Sequence, residues 1–190
     1  MPDDQPYLAA MASPALITAD ELLRLSIPDK RVELVRGTLV VREPPGFRHG
    51  RVAMDLAARL ADHVRTQGLG QVCAAETGFR LSTAPDTVRA PDIAFVSRAR
   101  LPDPELVGYA PLAPDLVVEV LSPTDRPGEV LAKVADWLNA GSRLVWVVDP
   151  ERRLARVYRQ DGSEARLNTE DDLSGEDVVP GFSVRLADIL

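Results

Sequence analysis

The sequence predicts an α/β fold (α+β mixed sheet): a mixed central β-sheet flanked by helices, with an N-terminal helix and a β-hairpin ahead of it. Three observations predict it. The apolar stretch "DLVVEVL" (115–121) is followed by an amphipathic helical pattern and then by a second apolar stretch, "RLVWVVD" (143–149). That order describes a parallel β–α–β unit, right-handed as nearly all such crossovers are. The near-continuous aliphatic character of both stretches marks strands covered on two faces, and shorter segments joined at glycine or proline turns add further strands.

The elements follow in order. Residues 1–17 begin acidic and are only weakly apolar, without the basic-then-apolar layout of a signal peptide, and are expected to form a flexible arm. A single domain is expected over residues 18–190. It opens at "TADELLRL", where Thr18 and Glu21 make a capping box for a short helix. "RVELVRGTLVVRE" reads as a hairpin turning at Gly37. In "RHGRVAMDLAARLADHVRTQG", Val52, Leu56, Leu60 and Val64 recur every four residues and Gly68 closes a long amphipathic helix. Strands are predicted at "GQVCAAE", "GFRLS" and "PDIAFVS", separated by turn-rich pieces such as "STAPDT". The segment "RLPDPELVGYAPLAP", with four prolines, is a long loop placed to cover or border something. After "DLVVEVLS" comes the helix "PGEVLAKVADWLNAG", with Pro127 near its start and Gly141 past its end. "RRLARVYRQDGSEARL" reads as a hairpin around Asp161 and Gly162, and "VVPGFSVRLADIL" closes the chain.

Composition narrows the function. At 190 residues, 45% hydrophobic and 27% charged, the chain can bury a sizeable core. No apolar run reaches the roughly 18 residues of a membrane span. The one cysteine, Cys73, excludes an intrachain disulfide and a multi-cysteine zinc site; it reads as a small strand residue, and the cytoplasm is the expected compartment. A net charge of −7 opposes general attraction to nucleic acid, while leaving room for a local basic groove. The basic residues are 20 Arg and only 2 Lys, Lys30 and Lys133, so each position that keeps a compact ammonium draws notice.

Two acids stand in apolar strands. Alternation puts Glu119 on the same side as Val117 and Leu121, and Asp92 opens the apolar strand "DIAFV" directly after Pro91. Burying an unpaired carboxylate costs several kcal/mol, about 2–7 even for a neutral polar group, and two nearby carboxylates also repel. A divalent cation removes both penalties. The competing readings are a strand-end cap for Asp92, and a sheet-edge position or an arginine partner for Glu119. Lys133 lies 14 residues after Glu119, on the helix face of Val130 and Trp137. Either it reaches back over the sheet, or its stem covers the core while its ammonium stays in water.

A Pro-Asp opening one strand, a glutamate within a later strand and a nearby lysine resemble the PD-(D/E)xK nuclease superfamily. More closely, "RVELVRGTLV", "HGRVAMDLAARL", "APDIAFV", "PDLVVEVLSPTDR", "AKVADWLNAG" and "LVWVVDP" resemble the Uma-type family of restriction-endonuclease-like proteins, in order from about Glu33 to Pro150. The resemblance implies a restriction-endonuclease-like core in which Asp92 and Glu119 hold a metal with the Val120 carbonyl. The residue two after Glu119 is Leu121, so E-x-K is absent as written; the family's lysine is displaced to the following helix, where Lys133 matches it. Glu33 matches an early acid that binds or orients the metal or holds Lys133, with a plain strand carboxylate as the alternative. His49 matches a histidine before the long helix, able to contact phosphate or assist proton transfer, with helix capping as the alternative.

The implied function is metal-dependent hydrolysis of phosphodiester bonds in DNA, with Mg²⁺ as the cofactor and Mn²⁺ as its substitute. Phosphate contacts are expected from Arg48, Arg51 and Arg126, with Arg98 and Arg100 as further lining. Arg152, Arg153, Arg156 and Arg159 form either a DNA contact or a solvated face. The resemblance also implies a homodimer. The rival readings are a non-catalytic nuclease-like module that binds nucleic acid or protein, and a metal hydrolase acting on a smaller phosphoester.

Overall fold

The computed structural model describes residues 16–25 and 27–190. Of the expected arm, residues 1–15 lie outside the described residues, while the Ile17 N–H donates to the Gly37 carbonyl at 2.8 Å. Helix α1 (Ala19–Leu22) starts at the capping box read from the sequence: the Thr18 side chain accepts from the Glu21 N–H, and the Glu21 carboxylate accepts from the Thr18 N–H at 2.8 Å. Strands β1 (Arg31–Val35) and β2 (Thr38–Arg42) form the expected hairpin. Arg36 and Gly37 between them have φ of 48° and 76°, the positive pair that a tight two-residue turn requires.

Helix α2 (Phe47–Gln67) buries His49 and the stripe Val52, Leu56, Leu60 and Val64. Each fully buried aliphatic of that stripe contributes about 1.5–3 kcal/mol by leaving water. Gly68 ends the helix in the left-handed region at φ 63°, where its N–H reaches the Val64 and Arg65 carbonyls. Strands β3 (Gly70–Ala74), β4 (Phe79–Ser82), β5 (Thr87–Arg89), β6 (Ile93–Ser97) and β7 (Leu116–Val120) follow. Then come helix α3 (Pro127–Asn139) and strands β8 (Leu144–Asp149), β9 (Leu154–Arg159), β10 (Glu164–Asn168), β11 (Asp172–Ser174) and β12 (Ser183–Arg185).

Six strands make the main sheet, in the order β10-β9-β8-β7-β6-β3. It is mixed as expected: β7 and β8 run parallel across α3, and the other neighbours are antiparallel. Both faces are covered. Leu116, Val118 and Val120 of β7 pack in one cluster with the α2 stripe, and Val117 packs in the other with Val134 and Trp137 of α3. A second sheet of four strands, β2-β1-β5-β4, is antiparallel, and β11 pairs with β12.

Strand β5 falls where the sequence reads as turn. Its three residues, Thr87, Val88 and Arg89, are all buried and are too few to display an alternation. It matters because the chain leaves the four-stranded sheet at Arg89 and enters the main sheet at Ile93. Ala90, Pro91 and Asp92 therefore bridge the two sheets. The four-proline segment is a loop stitched to β4, where the Arg80 N–H donates to the Ala110 carbonyl at 2.9 Å. No helix among the described residues is long and apolar enough to cross a membrane.

Candidate active site

Asp92 closes the bridge between the sheets, with its N–H on the Val118 carbonyl at 3.1 Å. This backbone contact sets its side chain beside the end of β7, where Asp92 Oδ2 accepts the Val120 N–H at 2.7 Å. His49 Nε2 donates to the same oxygen at 3.1 Å, and Arg31 Nη2 donates to Oδ1 at 3.0 Å. Burial by itself would raise this carboxyl. His49, Arg31 and the Val120 N–H outweigh it and hold Asp92 below the ordinary aspartate value.

Glu119 takes its place from strand alternation, on the α3 side of β7 with Val117. Lys133 Nζ donates to Glu119 Oε2 at 2.9 Å, and Trp137 Nε1, one helical turn on, donates to Oε1 at 2.9 Å. Burial raises the Glu119 carboxyl. Lys133 opposes the rise, the Asp92 and Glu33 charges add to it, and the net direction is upward. For Lys133 burial works against the charged form, but Glu119 and Glu33 more than compensate and hold its ammonium above the ordinary lysine value.

Glu33, on β1, is buried and occupied on both oxygens. Oε1 accepts the Ala90 N–H at 3.1 Å and lies 3.6 Å from Lys133 Nζ; Oε2 accepts from Arg89 Nη1 at 2.9 Å. Burial pushes this carboxyl up, but Lys133 and Arg89 hold it below its ordinary value. These side chains border a cavity of about 770 Å³ lined also by Arg31, Tyr109, Val120, Arg126 and Glu129.

Asp92, Glu119, Lys133, Glu33, His49 and Val120 therefore come together. His49 is no helix cap: Gly46 holds the cap position of α2, and His49 sits inside the first turn with its ring on Asp92. Its Nδ1 is buried without a hydrogen-bond partner among the described residues. Lys133 is only 14% exposed and does not extend its ammonium into water.

The arginines divide differently from the sequence reading. Arg126 lines the cavity at the start of α3. Arg48 instead donates to the Pro150 carbonyl, and Arg51 pairs with Asp55 at 3.2 Å along its own helix. Arg98 and Arg100 do not line the opening. Arg100 donates to Asp115 at 2.8 Å and to the Ala113 carbonyl, at the start of β7 and so at the far end from Glu119. The tail run also splits: Arg152 pairs with Asp149, Arg153 reaches the Leu190 carbonyl, and Arg159 pairs with Glu176. Arg156 faces a second cavity of about 740 Å³ with Arg152, Tyr158 and Arg166.

Arg31, Arg89 and Asp136 are site residues that the sequence reading passed over. Asp136 follows Lys133 by three residues on α3, and that spacing was the available signal. Among the described residues no group of three or more His, Cys, Asp or Glu side chains forms a ready metal cage.

No curated protein matches the chain. Among solved structures it is similar to a crystal structure of a "putative nuclease belonging to DUF820" from Anabaena variabilis, with a TM-score of 0.81 and 21% identity over 91% of this chain and 97% of that one. At that identity the likeness establishes the fold. The family model Uma2, described as "Putative restriction endonuclease", matches residues 19–187, nearly the whole described chain, and the protein belongs to that family.

Proposed function

We propose that this protein is a metal-dependent endonuclease that hydrolyses phosphodiester bonds in DNA. One observation carries the reading: two buried carboxylates, Asp92 and Glu119, line one cavity, with a buried ammonium on the second. Arg31, Arg89 and Lys133 already pair with the acids, so what would draw a divalent cation is carboxylate oxygen beside the cavity, not an unbalanced charge.

The donor set fits such an ion. A carboxylate offers about four lone-pair sites; Asp92 has three donors on it and Glu119 two. Each therefore has accepting capacity left. The Val120 N–H already faces Asp92, and the N–H and C=O of one strand residue project to the same side, which favours the Val120 carbonyl as a third ligand. A site of few protein oxygens suits Mg²⁺, which keeps several of its waters, with Mn²⁺ as a substitute. When bound, the ion would polarise the phosphate and lower the pKa of a coordinated water.

The protein's own residues supply the rest. Lys133 brings a positive charge to where negative charge gathers on the phosphate as the water adds. Trp137 holds Glu119 from beneath and excludes solvent on that side. His49 fixes Asp92 through Nε2, and its buried Nδ1 has no hydrogen-bond partner among the described residues. Arg126, at the cavity rim, is placed to meet a phosphate of the substrate.

The test is nicking of supercoiled plasmid with Mg²⁺ or Mn²⁺ by the wild type, Asp92→Ala and Lys133→Ala. Metal-dependent nicking lost in both variants supports the reading. No nicking, together with no Mn²⁺ binding by calorimetry, would favour the non-catalytic module; Mn²⁺ binding with turnover of only a small phosphodiester would favour the smaller substrate.

A further inference from the structure

Lys133 has two carboxylate neighbours, and they are held in different ways. Glu119, at 2.9 Å, is the one that the proposed cation would engage. Glu33, at 3.6 Å, is fixed from behind by Arg89 and the Ala90 N–H. Arg89 is itself 4% exposed and divides its donors between two carboxylates. Nη1 meets Glu33 at 2.9 Å, while Nε and Nη2 meet Asp136 Oδ2 at 3.1 and 2.6 Å. Asp136 lies on α3, three residues beyond Lys133. One guanidinium therefore ties the helix that carries the lysine to the strand that carries the glutamate.

Well-packed hydrophobic residues often fill such a buried place with equal or greater stability. What they cannot supply is direction. A lysine ammonium in this place would also fail, because only the planar fork serves two carboxylates at fixed angles.

We propose that Arg89, clamped by Asp136, is a positioning residue for the phosphodiester reaction: it keeps Glu33 aimed at Lys133, so that the ammonium retains a partner when Glu119 engages a cation. The assignment of a reaction rests on the nuclease reading; the clamp itself does not. Arg89 acts through Glu33 and touches no reacting atom.

Because the chain has only two lysines, the clamp can be read without any cleavage. The measurement is the acylation rate of Lys133 relative to Lys30, followed by mass spectrometry on metal-free folded protein. Lys133 is 14% exposed and Lys30 is 32% exposed, so the wild type should label Lys133 the more slowly. Arg89→Ala and Arg89→Gln are expected to raise the relative rate about tenfold, and Asp136→Asn by less, in the range seen when a supporting partner is removed. With Mn²⁺ present, the Arg89 variants should lose about 10- to 100-fold in kcat with KM little changed. Unchanged Lys133 labelling in a folded Arg89 variant overturns the clamp. If Arg89→Ala does not fold, Asp136→Asn decides by the same labelling ratio: a rise supports the clamp and no change overturns it. Arg89-dependent labelling in a wild type that cleaves nothing would sink the nuclease reading and leave the clamp standing.

Discussion

Strand β7 carries a buried carboxylate at each end, and the two have opposite surroundings. Asp115, just before the strand, is 3% exposed and Glu119 is 5% exposed, so burial does not separate them. Burial pushes the Asp115 carboxyl up, but the Ser97 N–H at 2.8 Å and Arg100 at 2.8 Å hold it below its ordinary value. Its ion-pair partner is Arg100. Glu119 instead shares its lysine with Glu33, feels the Asp92 charge, and is raised. Asp115 closes a loop onto a strand; Glu119 borders a cavity. What marks a site is the crowding of like charges beside open space, more than a carboxylate's depth.

The sharpest way to break this comparison is to remove one acid from each end. Asp92→Ala and Glu119→Gln should lower metal-dependent nicking by at least about 10³-fold, some 4 kcal/mol of barrier. Asp115→Asn should leave nicking within a few-fold and cost about 1–3 kcal/mol of stability, read by urea unfolding. If Asp115→Asn abolished nicking in a folded protein, the two ends would be functionally alike and the distinction lost. Next in size, Lys133→Ala is expected to lose about 10²–10³-fold in kcat, the scale of a lost charge-stabilising donor, with plasmid binding by electrophoretic shift retained.

A smaller effect separates the ends by pH. Asp115 is lowered from 3.8 in the folded state, so its contribution is present above that value and is lost as pH falls through the lower folded value. Glu119 is raised from 4.5, so the folded state holds the extra proton and stability falls as pH rises from 4.5 through the raised value. In metal-free protein, Glu119→Gln should therefore flatten the loss of stability above pH 4.5, and Asp115→Asn should flatten the loss on the acid side of pH 3.8. Denaturant midpoints measured across pH would check both signs. The reverse pattern would invert the electrostatic account.

The fold was legible wherever periodicity was long enough to speak. The four-residue stripe of α2 and the two aliphatic strands around α3 needed no further information. Asp92, Glu119 and Lys133 stood out because their chemistry contradicted their surroundings. Arg89 and Asp136 did not, since one arginine among 20 carries little signal and their contact joins residues 47 apart in sequence. Arg98 and Arg100 misled for a related reason. They follow β6, and five residues of strand from Asp92 amount to about 17 Å, the length of the sheet. Sequence proximity to a site residue is poor evidence of spatial proximity along an extended chain.

The bridge at Ala90, Pro91 and Asp92 has a consequence for when the site can exist. Arg31, Glu33 and Arg89 belong to the four-stranded sheet, and Glu119 belongs to the main one. Neither sheet alone owns a complete charge constellation. Should the smaller sheet lift away, Asp92 would lose Arg31 and Lys133 would lose Glu33, while the aliphatic cluster around α2 could stay intact. The full set of ion pairs thus reports the docking of two layers, and a chain whose smaller sheet has yet to dock would hold Asp92 and Lys133 with fewer partners.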